Sequence, residues 1–501
     1  MSIMDRIIVH LTKGRTLFLY AFWSAVVMTI IRVLFSQHIY RDSANVYTYM
    51  VREFCNGNYE NVIHPGIPFL NVTLSIPLTM IGFSPLASTL LVSCLFFIAS
   101  TYFVYKLLEE FVPEQWAAFG TLLYVYCPRI LRFSLTGLLD SSRLMFLVAT
   151  MYFLCKLIRE NYKTWRYAIL LGCSLGGMTL ARSEGIGNAV VCFGCFGIFW
   201  LIALLQHKKP GILPIFTSFF IWIAISASRI LVNWYFCGEA IFDRRIHYGV
   251  MRFWSKITGI QQIIPHTFTK RDPLTIMDLC NQSIRGTYEL YFILIVIGLL
   301  LVCFSRNFLK RCWVDENIPA FAKWDNRYWI FLIFIFTHMT IIYSAGFSPY
   351  RYFIGNTPLL MPFLLIACAM LVGWLVKLKI RKEWLLLCMI LLLGVQYYKG
   401  VHTFFWGKHI NQHKTGYLIG NLLKDEPKAK VLFFGCSVEW FFSNTNRAIP
   451  VEERYKEGFQ DYDYLLLKKH SDDIPAIKEH SKLETIDLPE WATVRMFRKI
   501  K

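Results

Sequence analysis

The feature that most constrains this chain is a recurrence of apolar runs about as long as a bilayer is thick, separated by short polar or basic links. A spanning helix needs about 20 mostly apolar residues, fewer if short or tilted. The first run is Thr16–Phe35, and others follow at about 86–107, 115–132, 143–158, 167–182, 185–206, 211–235, 290–305, 328–346, 357–376 and 384–398. Together they predict an all-α polytopic membrane protein with about 11 transmembrane helices. Composition agrees: 55% of the 501 residues are hydrophobic and 17% charged, against about a quarter charged in soluble chains. In a soluble protein a net charge of +19 would point to nucleic acid. Here its distribution matters more than its sum, and no nucleic-acid partner is expected.

Charge sets the orientation. Arg6, Lys13 and Arg15 precede the first run, which places the N-terminus in the cytoplasm as a retained anchor. Basic clusters at Arg159/Lys163/Arg166, His207/Lys208/Lys209, Arg306 to Arg327 and Lys377 to Lys382 then share one side, provided that Ile67–Gly82 does not cross. That segment is short and holds Pro68, Asn71, Ser75 and Pro77, so it reads as re-entrant or interfacial. Ahead of it, Val46, Tyr47, Met50, Val51 and Phe54 mark an amphipathic helix lying on the interface. The outer side receives loops 36–85 and 238–289, the turn around Asp140 and the tip 347–356.

Two domains are expected: 1–399, carrying the spans, and 400–501, a small extracytoplasmic α/β domain. The latter has strand-like runs at Lys430–Gly435, Asp463–Leu467 and Thr493–Arg498. The 14 cysteines form no framework. Cys192 and Cys195 lie inside an apolar run, where free cysteine is a small hydrophobe. Cys237 and Cys280 flank one outer loop and form only a weak candidate pair.

Ionisable residues near a bilayer are expensive and therefore informative. Asp42, Arg129, Arg132, Asp140, Arg143, Arg182, Glu184, Arg229, Glu239 and Arg351 all map to outer ends of spans or outer loops. Singly, each Arg could be a snorkelling side chain; as a group they describe an outward-facing polar cavity with acids for proton chemistry and cations for a phosphate. Asp42 reads as an N-cap and as a general base, two compatible roles. Asp140 is an N-cap or a second carboxylate that binds a divalent metal or an acceptor amine or hydroxyl. Arg351 can grip a lipid phosphate bidentately, with Arg132, Arg143 and Arg182 as further phosphate candidates. Arg182 and Glu184 can also simply pair with each other. His64 in His64-Pro65-Gly66 is a turn former or a substrate contact, and His338, alone in an apolar span, reads as a satisfied core residue. No nucleotide-cradling loop stands in a usable context.

Asp42 in a first outer loop, an amphipathic helix, His64-Pro65, the outer Asp140, Arg182-Ser183-Glu184-Gly185 and Pro349-Tyr350-Arg351-Tyr352 occur in that order. Together they resemble the GT-C superfamily of polyprenyl-phosphate-sugar-dependent glycosyltransferases. The branch they resemble is that of the protein O-mannosyltransferases and lipid A aminoarabinose transferases. The resemblance implies an inverting transferase at the outer face, with a polyprenyl-phosphate-sugar donor, membrane lipids around it, and a lipid, glycan or protein acceptor. It implies Asp42 as the catalytic aspartate, Asp140 as the acidic residue of the second loop, and Arg351 as a donor-phosphate contact. Loop 238–289 would cover the donor. Two positions depart from the family pattern: Gly66 follows Pro65 where aminoarabinose transferases have Lys, and Ser43 follows Asp42 where mannosyltransferases have Glu. Spanning by helices favours a bacterial inner membrane. Two other classes compete. A flippase of lipid-linked saccharides should show midplane charges and repeats, and this chain shows neither. A non-enzymatic assembly or sensor protein would make no use of the outer carboxylates.

Overall fold

The structure is a computed structural model. It describes residues 13–35, 39, 43–59, 68–182, 184–238, 240, 258, 275–303, 321, 324–345, 350–379, 382–405, 408–426, 429–434, 438, 443, 462–469 and 483–500. The helices are α1 (Gly14–Phe35), α2 (Thr48–Cys55, entered through a π-helical turn Ser43–Tyr47), α3 (Leu70–Met80), α4 (Pro85–Leu108), α5 (Glu114–Val125), α6 (Pro128–Ser134), α7 (Asp140–Arg159) and α8 (Trp165–Ala181). Then come α9 (Gly185–Leu205), α10 (Leu213–Cys237), α11 (Ile276–Thr287), α12 (Glu289–Cys303), α13 (Tyr328–Ala345), α14 (Asn356–Lys377, entered through a 3₁₀ turn Tyr350–Gly355), α15 (Lys382–Phe405) and α16 (Lys408–Leu422).

Among the described residues six helices are long and apolar enough to cross a membrane, or seven if the sharply bent pair α11–α12 is one span. The expected count of about 11 is therefore not reached. The run 115–132 divides at Cys127-Pro128, where the proline ring and missing N–H interrupt the helix. The run 167–182 becomes the 17-residue α8. Helix α3, in the segment not counted among the spans, has 11 residues and extends only about 16 Å, half a hydrocarbon core.

Helix α7 stands at the centre of the bundle. Of its span 78% is buried, against 11% for the span in α10. Apolar side chains such as Trp23, Phe220, Trp234, Trp329 and Trp384 remain exposed on the outer helices, as a lipid-facing surface requires. The interior joins Phe97, Tyr124, Leu147, Leu154, Phe196, Tyr291, Phe331 and Phe363 in one apolar cluster.

The amphipathic segment does not lie free on an interface. All of Thr48 to Glu53 is buried. Met50 and Val51 pack on Val72 of α3, while Ala44 and Tyr49 join Ile39 against a C-terminal sheet. The segment is covered from two sides, so both its apolar and its polar positions are enclosed.

That sheet has the order β1 (Val431–Phe434), β2 (Tyr464–Lys468), β4 (Val494–Lys499), β3 (Leu483–Ile486). Strands β1 and β2 are parallel, with Val431 opposite Tyr464, and the β2–β4 and β3–β4 pairs are antiparallel. Val431, Phe433, Tyr464, Leu466, Val494 and Met496 share the face that meets Ala44, Tyr49 and α16. Strand β3 was not expected: Leu-Glu-Thr-Ile is short, and its identity comes from pairing with β4.

At the end of α7 remote from Asp140, Glu110 is 3% exposed and binds three cations: Lys156 at 2.7 Å, Arg327 at 3.0 Å and Arg159 at 3.3 Å. Arg327 also pairs with Asp325 at 2.8 Å and lies 4.7 Å over the Phe111 ring. Burial alone would raise the Glu110 carboxyl, but Lys156, Arg327 and Arg159 hold it below its ordinary value. A carboxylate depressed in the folded state stabilises above its unfolded value and loses that contribution as pH falls. Glu110→Gln is therefore expected to lower the melting temperature in detergent at pH 7. It should also flatten the fall in melting temperature between pH 7 and pH 4, measured by scanning fluorimetry of both proteins.

Candidate functional site

The other end of α7 carries the site. Asp140 is the first residue of α7 and not its N-cap, which is Leu139 without a side-chain capping bond. The Asp140 carboxylate is instead 1% exposed and accepts a 2.8 Å hydrogen bond from Arg182 Nη1. Arg182 Nε lies 2.8 Å from Glu184 Oε1, and the same oxygen accepts from Arg143 Nη1 at 3.3 Å. Arg143 Nη2 donates to the Tyr352 carbonyl at 2.8 Å and to that of Arg351 at 3.4 Å. The Arg182 guanidinium lies 4.3 Å from the Tyr352 ring centroid, with Arg351 at 5.7 Å and Arg143 at 6.0 Å. Two carboxylates and three guanidiniums thus meet around one tyrosine.

Local sequence explains the assembly. Asp140 and Arg143 are three apart on one helix, so both face the same neighbours. Arg182 and Glu184 straddle the break between α8 and α9. Gly185 is needed there because a Cβ would stand 2.3 Å from the Met178 carbonyl. Burial would push the Glu184 carboxyl up, yet Arg182 and Arg143 hold it at about 2. The group is ionised at every working pH, and its contribution is lost only as pH falls from the ordinary carboxylate range towards that value.

The turn leading into Asp140 is held through its carbonyls. Arg32 Nε donates to Leu135 O at 2.7 Å, Ser43 Oγ to Gly137 O at 2.9 Å and Asn71 Nδ2 to Leu138 O at 3.3 Å. Ser93 Oγ serves Ser134 O at 2.9 Å and Leu138 O at 3.2 Å. Gly137 has φ +70°, and a Cβ there would approach Ser43 Oγ to 2.8 Å. Ser43, the residue after Asp42, is thereby fixed to the turn three residues before Asp140.

Among the sequence candidates, Asp140, Arg143, Arg182, Glu184 and Arg351 come together. Arg182 and Glu184 do pair with each other, but within a larger cluster. Arg132 stays apart, its guanidinium 6.0 Å from the Phe133 ring centroid. Arg129 pairs with Glu289 at 3.1 Å. Arg229 is buried in α10. Asp42, His64 and Glu239 lie outside the described residues, as does most of loop 238–289, whose described part ends in α11. No three His, Cys, Asp or Glu side chains among the described residues form a metal-binding group. Cys192, Cys195 and Cys280 are free thiols.

His338 corrects its sequence reading. It is 3% exposed, but neither ring nitrogen has a hydrogen-bond partner among the described residues. It is buried and unsatisfied. Arg32 and Ser43 are further contributors that sequence reasoning missed, because they act on carbonyls far along the chain; Tyr352 stood in the Pro349–Tyr352 motif but had no role assigned to it.

Residues 64–231 match the family described as dolichyl-phosphate-mannose-protein mannosyltransferase. The fold is similar to that of ArnT from Cupriavidus metallidurans bound to undecaprenyl phosphate, with TM-score 0.60, 10% identity and coverage of 96% of this chain and 97% of that one. It is also similar to the oligosaccharyltransferase AglB from Archaeoglobus fulgidus in complex with an inhibitory peptide and a dolichol-phosphate, with TM-score 0.53, 12% identity and coverage of 90% and 69%. No curated protein sequence matches the chain. The chain thus shares the fold of these two proteins and matches a mannosyltransferase family over part of its length, and it is an integral membrane protein.

Removing Arg182 would leave two buried carboxylates without their shared counter-ion, a loss of about 3–5 kcal/mol for a broken buried pair. Arg182→Gln is expected to be strongly destabilised, and Asp140→Asn in the same chain to recover part of the loss. A double-mutant cycle on detergent unfolding should give a coupling above about 1.5 kcal/mol; additive effects would deny the pairing.

Proposed function

We propose that this protein is an inverting glycosyltransferase that moves a sugar from a polyprenyl-phosphate donor to a lipid, glycan or protein acceptor at the outer face of a bacterial inner membrane. The observation that carries the reading is the buried cluster of Asp140, Arg143, Arg182, Glu184 and Arg351 at one end of the bundle, tied through Ser43 and Gly137 to the residue beside Asp42. Supporting it are the match to a mannosyltransferase family and the fold shared with proteins solved with polyprenyl phosphates.

The chemistry is a displacement at the anomeric carbon. An acceptor heteroatom attacks it, the bond from that carbon to the phosphate oxygen breaks, and the electron pair leaves on polyprenyl phosphate. The acceptor proton goes to Asp42, the general base of this reading. Cations stabilise the departing phosphate. Arg351 is the candidate that the family resemblance implies, and the side chains of Arg143 and Arg182 bind carboxylates and orient the site. Asp140 has its Oδ1 bound to Arg182, so its role is to hold that guanidinium, with the remaining oxygen for an acceptor group. Domain 400–501 lies outside the membrane in this reading. Through Ala44 and Tyr49 it also braces the helix that follows Asp42.

Asp42→Asn is expected to keep expression and donor binding while transfer falls by about 10²–10⁴-fold, the usual contribution of a general base. Mass spectrometry of lipids retained by gently purified Asp42→Asn protein should find a polyprenyl phosphate bearing one sugar. A fully active Asp42→Asn protein would refute the assignment. A retained long lipid-linked oligosaccharide, moved across liposomes without chemical change, would favour a flippase instead.

A further inference from the structure

Helix α2 is entered in an uncommon way. Residues Ser43–Tyr47 form a π-helical turn, and the α-helix runs on from Thr48 to Cys55. A π turn holds one residue more than an α turn, is rare, and recurs at functional sites. The additional residue turns the chain ahead of it about 100° around the axis, relative to an uninterrupted α-helix. Its register therefore decides the direction from which the preceding residue is presented.

Two buried hydroxyls staple this turn. Ser43 and Thr48 are both 0% exposed, and their hydroxyl oxygens lie 3.1 Å apart. Positions five apart on an α-helix stand about 140° apart around the axis; the wider turn brings these two together. Ser43 has a single hydroxyl proton, and it goes to the Gly137 carbonyl at 2.9 Å. Thr48 is therefore the donor in the bond between the two side chains. The result is a directed chain from Thr48 through Ser43 to the turn before Asp140. Gly137 leaves room for it, since a Cβ there would stand 2.8 Å from Ser43 Oγ.

The rest of the turn is held as closely. Ala44 packs into the apolar cluster of the C-terminal sheet. Tyr47 packs on Phe133 and Leu138, ahead of Asp140, and on Ile354, just beyond Arg351. It also interacts electrostatically with Arg182. The π-helical turn is thus wedged between the two segments that carry the ion cluster. One peptide bond joins Ser43 to Asp42 and sets their Cα atoms about 3.8 Å apart, so the stapled turn fixes the point from which Asp42 starts. A catalytic group has to be held within about 0.5 Å of its productive place. We infer that Ser43 and Thr48 are positioning residues for the proposed general base, their hydroxyl chain holding the π-helical turn in the register that transfer requires. This inference rests on the glycosyl-transfer reading above, with Asp42 as its base.

The test follows sugar transfer in membranes of cells that produce the full-length protein. Radiolabelled undecaprenyl-phosphate mannose and undecaprenyl-phosphate arabinose are the donors, the acceptors are those of the membranes, and rates are taken over membranes lacking the protein. Ser43→Ala is expected to lower the maximal rate about 10- to 100-fold, the effect of a misplaced catalytic group, with the donor KM within about twofold. Thr48→Val keeps the shape and removes only the donor; its loss should be about tenfold or less, and Thr48→Ser should restore most of the rate. Ser43→Ala combined with Thr48→Val should be no slower than Ser43→Ala alone, because both act through one chain. In an Asp42→Asn background, Ser43→Ala should leave the residual rate unchanged. An equal fractional loss in that background, or full activity of Ser43→Ala, would overturn the inference. Thr48→Val covers the case in which Ser43→Ala does not fold: its loss must likewise vanish beside Asp42→Asn. A wild-type protein that transfers neither sugar would instead count against the glycosyl-transfer reading itself, and the inference would fall with it.

Discussion

Everything at the charged end of this bundle depends on the bond between Arg182 and Asp140. Asp140 opens the most deeply buried span of the bundle, and a lone carboxylate in that place would be intolerable. Arg182 neutralises it from the end of another helix, at 2.8 Å, and then reaches Glu184, which draws in Arg143. Arg143 in turn binds the Tyr352 carbonyl and so fixes the 3₁₀ turn that carries Arg351. One ionic chain therefore sets the relation of α7, the α8–α9 junction and the turn before α14. Because buried ion pairs contribute little net stability over apolar packing, the network is better understood as a device for position than for stability.

A second constraint is the treatment of the turn 134–139. Its carbonyls point inward and receive bonds from Arg32, Ser43, Asn71 and Ser93, each from a different element. Buried backbone acceptors without partners are costly, so the turn keeps its shape only while all four elements are in place. The Ser43 bond among them brings the start of the segment before α2 to the Asp140 turn. The C-terminal sheet presses on the other side of that segment through Ala44 and Tyr49. The helical bundle and the C-terminal sheet thus cooperate in placing one short stretch of chain.

Much of this was legible beforehand. Apolar length and basic links gave a polytopic helical protein, because water and lipid sort residues independently of tertiary detail. Asp140, Arg143, Arg182, Glu184 and Arg351 were recognisable, since charges at the ends of spans need a reason. The span count was not legible. A hydropathy run does not show that Pro128 divides it, or that α8 stops short. The amphipathic helix was seen, but its polar side was assigned to solvent or headgroups, whereas a sheet formed about 400 residues later covers it.

The sequence by itself determined the class of solvent, the helical character and the residue types of the site, because these follow from local composition and period. Only the tertiary structure decided which charges meet. Arg182 selects Asp140 and Arg129 selects Glu289, although nothing local distinguishes those arginines. It also decided that the buried His338 ring has no hydrogen-bond partner among the described residues, since a hydrogen-bond partner is a property of the neighbourhood. Pairing and satisfaction depend on packing between distant segments, and no short stretch of sequence contains that information.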